Sequence, residues 1–537
     1  MITTKTGAGS PREEAASASI EGVSHMQDSA RDRRIRDIVI VGGGTAGWMA
    51  AASLRQHFGA APVTITLIES SEIGTIGVGE ATIPTIRRFY QALGLSDIDV
   101  LRATGGTCKL GIRFNDWTAP GASFIHPFGL YGQDLKGVSF HHYWMRLRAL
   151  GEDVPISDYS LGASLAAGGK FTTPSRNPPS TLSVFDWALH FDAGLFARLM
   201  RQVAEQNGVR RIDARIVKTN LRAEDGFIES VSLDSGATVA GDLFIDCSGF
   251  RGLLIEEALH TGYEDWSPWL LCDSALAVQS EGQGAPPPYT DVTAHEAGWR
   301  WRIPLQHRWG NGYVYSSRHT TDEAARAVLT GALDERLLHE PRKIGFHPGR
   351  RLKAWNKNCI ALGLASGFLE PLESTSIALI ETGIEKIKAL FPNRDFDPAV
   401  VDEFNEMSRL EMERVRDFII LHYKLNQRPD DPTGFWTHCR QMTVPDTLQK
   451  KIDLWRAQGH FVRYRWEMFS PPSWLAIYAG FGLLPETYDL SVDGFDAGQL
   501  SAALAEMRKA VADTVAATRA HGDFIEQYAR PQPVAAE

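Results

Sequence analysis

Residues 370–377 read EPLESTSI, which places two carboxylates (Glu370, Glu373) and three hydroxyls (Ser374, Thr375, Ser376) within eight positions. Upstream, residues 359–364 (CIALGL) form an apolar run of strand length that exits through Ala365, Ser366 and Gly367. Downstream, residues 377–391 (IALIETGIEKIKALF) repeat apolar side chains at helical spacing until Pro392 stops them. A helix starting near Ser374 or Thr375 leaves its first N–H groups unpaired and turns the positive end of its dipole toward an anion. Glu373 then stands at the lip of an anion site. The same residues also suit a plain helix cap, with a Ser or Thr hydroxyl accepting from the first turn. Which reading holds depends on what other elements bring to this point.

Residues 37–41 (DIVIV) are a continuous apolar strand that runs into Gly42, Gly43, Gly44, Thr45, Ala46 and Gly47, after which residues 48–57 follow a helical pattern. This is G-x-G-x-x-G in its required setting. Gly42 serves the turn, Gly44 the close approach to phosphate and Gly47 the packing of helix on strand, with Thr45 and Ala46 between them. A second strand over 63–68 (VTITLI) ends at Glu69, about twenty positions past Gly47, the spacing of a carboxylate that holds ribose hydroxyls. Together these mark a dinucleotide site without choosing between NAD and FAD. Two later segments favour FAD. Residues 75–84 (TIGVGEATIP), Val78 among them, form a Gly-rich strap suited to lie against a flat ring, and residues 242–251 (DLFIDCSGFR) read as a strand that ends near the cofactor at Asp246 and Gly249. A helix over 191–205 and a strand pair over 208–220 return the chain to the sheet.

The 537 residues exceed one minimal core, and 43% hydrophobic with 22% charged residues is ordinary for a soluble enzyme. A formal charge of -10 argues against nucleic acid or anionic membrane as a partner. The five cysteines are scattered and never in CxxC spacing, which gives no metal-ligand set and favours a reducing cytoplasm. The longest apolar run, residues 474–484, is too short to cross a bilayer. Beyond Pro392 the pattern is helical over 401–424, 446–458 and 499–520. The expected fold class is therefore α/β: an FAD-binding Rossmann-like domain of the flavin monooxygenase type over 35–420, with a substrate-pocket insertion at about 118–185. A disordered tail over 1–34 precedes it, and a mainly helical module over 421–537 closes the substrate chamber.

Three groups together resemble the flavin-dependent tryptophan halogenase family: GGGTAGW at 42–48, GWRWRIP at 298–304, and EPLESTSI at 370–377. W-x-W-x-I-P is the specific one, and the resemblance runs from about Ile38 to Leu484. It also takes in GTCKLGIRFNDW (106–117), His141 with Tyr143 and Trp144, HFD (190–192), GFRGLL (249–254) and GYVYSS (312–317). The resemblance implies that FADH2, oxygen and a halide (chloride or bromide) yield hypohalous acid. The halide is expected on the backbone N–H groups of Thr375 and Ser376, where the best-known members carry Gly in place of Ser376. Further flavin contacts map to Ile216, Leu364 and Ile377. Trp299 and Trp301 are expected to wall the flavin off from the substrate. Lys109 maps to the lysine that meets hypohalous acid in a second chamber and delivers the halogen. Spacing alone equally allows a surface lysine on an edge strand, but an inward ammonium among Cys108, Leu110 and Ile112 would have a depressed pKa. Glu373 is expected to stabilise the positively charged ring and accept its proton.

His126 and Phe128 match a family segment in which a histidine and an aromatic ring sandwich an indole. Before the helix over 475–482 this chain has Phe469, Ser470, Pro471, Pro472, Ser473 and Trp474, where tryptophan-specific members carry aromatic and asparagine residues that grip the amino acid. Two prolines are expected to stiffen a loop there, with Phe469 and Trp474 as pocket-lining residues. An indole, free or within a larger molecule, is the expected substrate rather than free tryptophan. A separate flavin reductase would supply FADH2 by diffusion, and a homodimer stays open. The competing readings are an FAD-dependent aromatic hydroxylase and a non-catalytic flavin-binding redox sensor.

Overall fold

The computed structural model describes residues 32–72 and 79–530. The tail expected over 1–34 lies outside them but for its last three residues, as do Val78 and the first part of the strap.

The strand Asp37–Val41 is the centre of a six-stranded sheet. It pairs in parallel with Thr64–Glu69 on one side and Leu243–Asp246 on the other; Arg210–Asp213 and Cys359–Ala361 extend the sheet in parallel, and Trp355–Asn356 closes one edge antiparallel. Ile38 to Val41 are all buried: Ile38 and Ile40 pack in one cluster with helix Thr45–Phe58, and Val39 and Val41 in another with Ile228 and Val231 of strand Ile228–Leu233. Helix Thr45–Phe58 packs against helices Ala193–Gln206 and Ser376–Ala389. It starts three residues before the expected Trp48, because Thr45, Ala46 and Gly47 of the fingerprint form its first turn. Of the strand pair expected over 208–220, only Arg210–Asp213 returns to this sheet; Ile216–Leu221 belongs to a separate three-stranded antiparallel sheet.

A seven-stranded sheet faces the other side of the site, in the order Arg342–Gly345, Ser274–Ser280, Trp309–Tyr315, Gly298–Pro304, Thr290–His295, Gly111–Asn115, Ser123–Pro127. It carries Trp299, Trp301 and His126. Between the two sheets lies a three-stranded one, Gly79–Ala81, Ala188–Asp192 and Thr107–Lys109, which brings Lys109 to the centre.

Helix Asp446–Gln458 has the expected bounds, and Ala497–Ala517 and Pro398–Lys424 lie close to theirs. The last begins early because Asp397 caps it and Pro398 suits a first helical turn. The junction expected at 420/421 falls inside this helix. One apolar cluster extends from Ile112 through Phe418 to Met507, so the chain on both sides of that point shares a core. Residues 521–529 pack back against the strand that carries Lys109 and the turn after Pro304: His521 Nε2 accepts from the Cys108 N–H at 3.2 Å, and Gln306 donates to the Ala529 carbonyl at 3.0 Å.

Candidate active site

Gly42 has φ +109, and a Cβ there would lie 2.3 Å from the Cys247 carbonyl oxygen; at Gly47 it would lie 1.9 Å from the Gly42 carbonyl oxygen. The loop therefore closes only without side chains. A Cβ on Gly43 would fall within the Glu69 carboxylate. Gly42, Gly44, Thr45 and Ala46 open onto a cavity of about 990 Å³, while Gly47 sits behind them as packing. Glu69 lines the same end; it accepts from Arg211 Nε at 2.5 Å and from the Trp48 indole at 3.3 Å, which hold its carboxylate at the end of its strand. Ile216, Leu364 and Ile377 also line this cavity, which continues to Trp299, Trp301 and Ser374. The strand expected to end near the cofactor does so: Asp246 accepts from the N–H groups of Ser248, Leu254 and Ile255 and shapes the loop that puts Cys247, Ser248 and Gly249 on the cavity wall. A side-chain-free cradle at one end and a broad apolar chamber at the other fit an extended dinucleotide with a flat ring.

In the central segment, residues 371–373 make a tight turn and Ser374 takes a left-handed conformation, φ +59. Helix Ser376–Ala389 then starts with Thr375 at its N-cap, and no side chain caps it. The plain-cap reading is thereby set aside. The Ser374 hydroxyl accepts from Lys109 Nζ at 2.8 Å, and Thr375 Oγ1 has no partner. Ser376 lines the cavity while Thr375 is buried beside it, with the first turn's N–H groups outside the helical ladder.

Lys109 is fully buried and donates to the Thr82 carbonyl at 2.9 Å as well as to Ser374. Burial lowers its pKa to about 7, partly countered by the Glu373 carboxylate. Its ammonium also lies 5.3 Å from the centroid of the Phe128 ring. The surface-lysine alternative fails on this burial.

Glu373 is likewise buried. His126 Nδ1 approaches its carboxylate at 2.9 Å and His422 Nε2 at 2.8 Å. Burial alone would raise this carboxyl, but the charge and hydrogen bonds of His126, joined by those of His422, lower it to about 2. His422 Nδ1 donates to the Phe418 carbonyl at 2.7 Å, so its Nε2 and Glu373 share one proton between them. Glu373 thus faces the two histidines rather than the lip of the helix start. His126 Nε2 is buried without a partner, near Phe418 and Phe469, whose rings stack with centroids 3.8 Å apart. Trp474 packs edge-on against Phe418. The two prolines before it are the first turn of helix Pro471–Gly480, not a stiffened loop, because a missing N–H is harmless there.

Sequence reasoning missed His422, which lies on a buried helix face, and the use of Glu370. Trp299 Nε1 donates to Glu370 Oε1 at 3.0 Å and lies 2.9 Å from the Tyr423 hydroxyl, which itself donates to Glu370. Burial raises the Glu370 carboxyl to about 7, against the Tyr423 and Trp299 hydrogen bonds. The Trp299 ring on the cavity wall is thereby fixed from behind.

The family model described as tryptophan halogenase matches residues 37–497. The chain belongs to the tryptophan halogenase family. It is 36% identical over 475 residues to tryptophan 6-halogenase SttH of Streptomyces toxytricini, covering 83% of this chain and 89% of that protein. Among solved structures it is similar to BrvH, a flavin-dependent halogenase from Brevundimonas sp. BAL3, at 62% identity and TM-score 0.90, covering 93% of this chain and 100% of that one. Xcc4156, a flavin-dependent halogenase from Xanthomonas campestris, matches at 43% identity and TM-score 0.89, covering 94% and 100%. This halogenase is a flavin-dependent oxidoreductase that uses FADH2 and halide. Among its described residues no helix is long and apolar enough to cross a membrane.

Proposed function

We propose that this halogenase places a halogen on an indole ring, free or carried in a larger molecule, with Lys109 delivering the halogen and Glu373 assisting loss of the ring proton. The observation that carries this is the position of Lys109: its Nζ is held behind Ser374, and Ser374 is itself part of the flavin cavity wall. FADH2, when bound, supplies the electrons that reduce oxygen and so the oxidising power that converts halide to hypohalous acid. The halide rests against the N–H groups of Thr375 and Ser376 at the helix start.

At Lys109 two N–H groups are occupied by Thr82 and Ser374. In the ammonium form the third is free to hold hypohalous acid by hydrogen bond; in the neutral form a lone pair is free to take the halogen. A pKa of about 7 gives access to both. Trp299, fixed by Glu370 and Tyr423, and Trp301 keep the ring to be halogenated away from the flavin. Electrophilic attack makes that ring a cation, which the Glu373 carboxylate stabilises. The cation is a far stronger acid than any carboxylic acid, so Glu373 accepts its proton despite its low pKa. His126 and Phe128 hold the ring, with Phe469 and Trp474 lining the pocket beyond.

Relatives named for tryptophan, such as SttH, support the indole. The absence of an amide side chain between Phe469 and Trp474 argues against a grip on the amino-acid group. A separate flavin reductase supplies FADH2 by diffusion. Mass spectrometry of indole and of tryptophan, each incubated with the protein, FAD, a reductase and bromide or chloride, tests the reading. Halogenated indole in excess of halogenated tryptophan is expected; product from tryptophan alone would overturn the substrate assignment, and halide-independent hydroxylated product the reaction.

A further inference from the structure

Thr290 opens the strand Thr290–His295, and both Thr290 and Val292, alternate residues on its buried face, line the flavin cavity. The Thr290 hydroxyl lies 2.9 Å from His190 Nε2. His190 Nδ1 lies 2.9 Å from the Thr107 hydroxyl, and that hydroxyl lies 2.7 Å from the Pro304 carbonyl oxygen. Thr107 and His190 are fully buried and Thr290 nearly so.

Counting donors fixes each proton in this chain. A carbonyl oxygen only accepts, so Thr107 donates its single proton to Pro304. The Thr107 oxygen must then accept from His190, and Nδ1 carries the ring proton. Burial, with Lys109 and His521 nearby, holds His190 well below its ordinary pKa, so the ring is neutral and its Nε2 is bare. Thr290 therefore donates to Nε2. Its only proton is committed to His190, so in any further contact its oxygen accepts and cannot donate.

An isoalloxazine ring changes its hydrogen-bonding face with oxidation state. Oxidised, its N1 and N5 are acceptors. Two-electron reduction puts a proton on N5, while the N3–H is present in both states. A wall that only accepts is matched by an N–H gained on reduction and opposed by a bare ring nitrogen. We propose that Thr290, with its proton held by the His190–Thr107 relay, is a redox-specificity residue: its oxygen accepts from an N–H that the flavin carries only when reduced, so the site holds FADH2 in preference to FAD. This rests on the flavin ring occupying the end of the cavity away from the glycine loop. It suits an enzyme that takes up reduced flavin from solution and must release the oxidised form.

Thr290→Val removes the oxygen and keeps the shape. Dissociation constants of the full-length protein are measured for FADH2 under anaerobic conditions and for FAD in air, by flavin fluorescence. The variant is expected to weaken FADH2 binding on the order of tenfold, the effect of one hydrogen bond, while FAD binding changes by about twofold or less. Thr290→Ser keeps the hydroxyl and is expected to retain the preference. Thr107→Val releases the His190 tautomer and is expected to lose part of it, which gives the same test should the valine at 290 disturb folding. Equal weakening of both forms by Thr290→Val would assign the residue to the N3–H or to packing and overturn the proposal. So would unchanged binding of both forms, or a preference unmoved by Thr107→Val.

Discussion

Replacing Lys109 with methionine tests whether the amine is as buried as the structure shows. Its pKa in the fold is about 7 against an ordinary 10.5, lowered by burial and partly restored by Glu373. Between those values the unfolded chain holds a proton that the folded chain has released, so stability rises with pH across that window. The penalty for carrying this amine is about 4 kcal/mol at pH 7, and about 2 kcal/mol of it is relieved by pH 9. Methionine does not titrate. The unpaired Thr82 carbonyl and Ser374 hydroxyl that Lys109→Met leaves behind are the same at both pH values and cancel. Urea unfolding of the two proteins at pH 7 and pH 9 should therefore show the wild type gaining about 2 kcal/mol relative to the variant, with contributions from other groups removed by the comparison. A gap that does not move with pH would mean that Lys109 titrates as an exposed lysine, and the delivery role argued from its burial would fall with it.

Glu373→Gln keeps the shape but removes the charge facing His126 and His422; turnover should fall about 10²- to 10³-fold with FAD binding unchanged, as read by single-turnover product formation. Gly47→Ala puts a methyl group 1.9 Å from the Gly42 carbonyl; loss of FAD retention on gel filtration and a lower melting temperature are expected. Tyr423→Phe leaves Glu370 and the Trp299 indole short of a buried hydrogen bond, and its unfolding midpoint should drop by about 1–3 kcal/mol in free energy.

The nucleotide end was legible because its signal is local: glycines and an acid at fixed spacing around a strand that no other arrangement explains. Helix Asp446–Gln458 was legible for the same reason, being framed by Pro445 and Gly459. The junction expected at 420/421 lies inside helix Pro398–Lys424, which carries buried residues on either side of it, a continuity that composition does not reveal. The partners that define the site were not legible. Ser374 meets Lys109 across 265 positions, and His422 meets Glu373 across 49, on a helix whose apolar pattern gives a buried histidine no distinguishing mark. Ser374 and Thr375 looked like caps because their types suit that task; the left-handed turn at Ser374 instead points its hydroxyl at Lys109. Prolines 471 and 472 read equally well as a rigid loop or a first helical turn, and only the fold decides.

The central claim is that oxidant made at the flavin becomes product only through Lys109. With Lys109→Ala, FADH2, oxygen, bromide and indole, three quantities should be followed together: flavin oxidation, free oxidant caught by a diffusible diketone, and bromoindole. Flavin oxidation and trapped oxidant should persist while bromoindole disappears. Bromoindole formed at the wild-type rate would contradict the account.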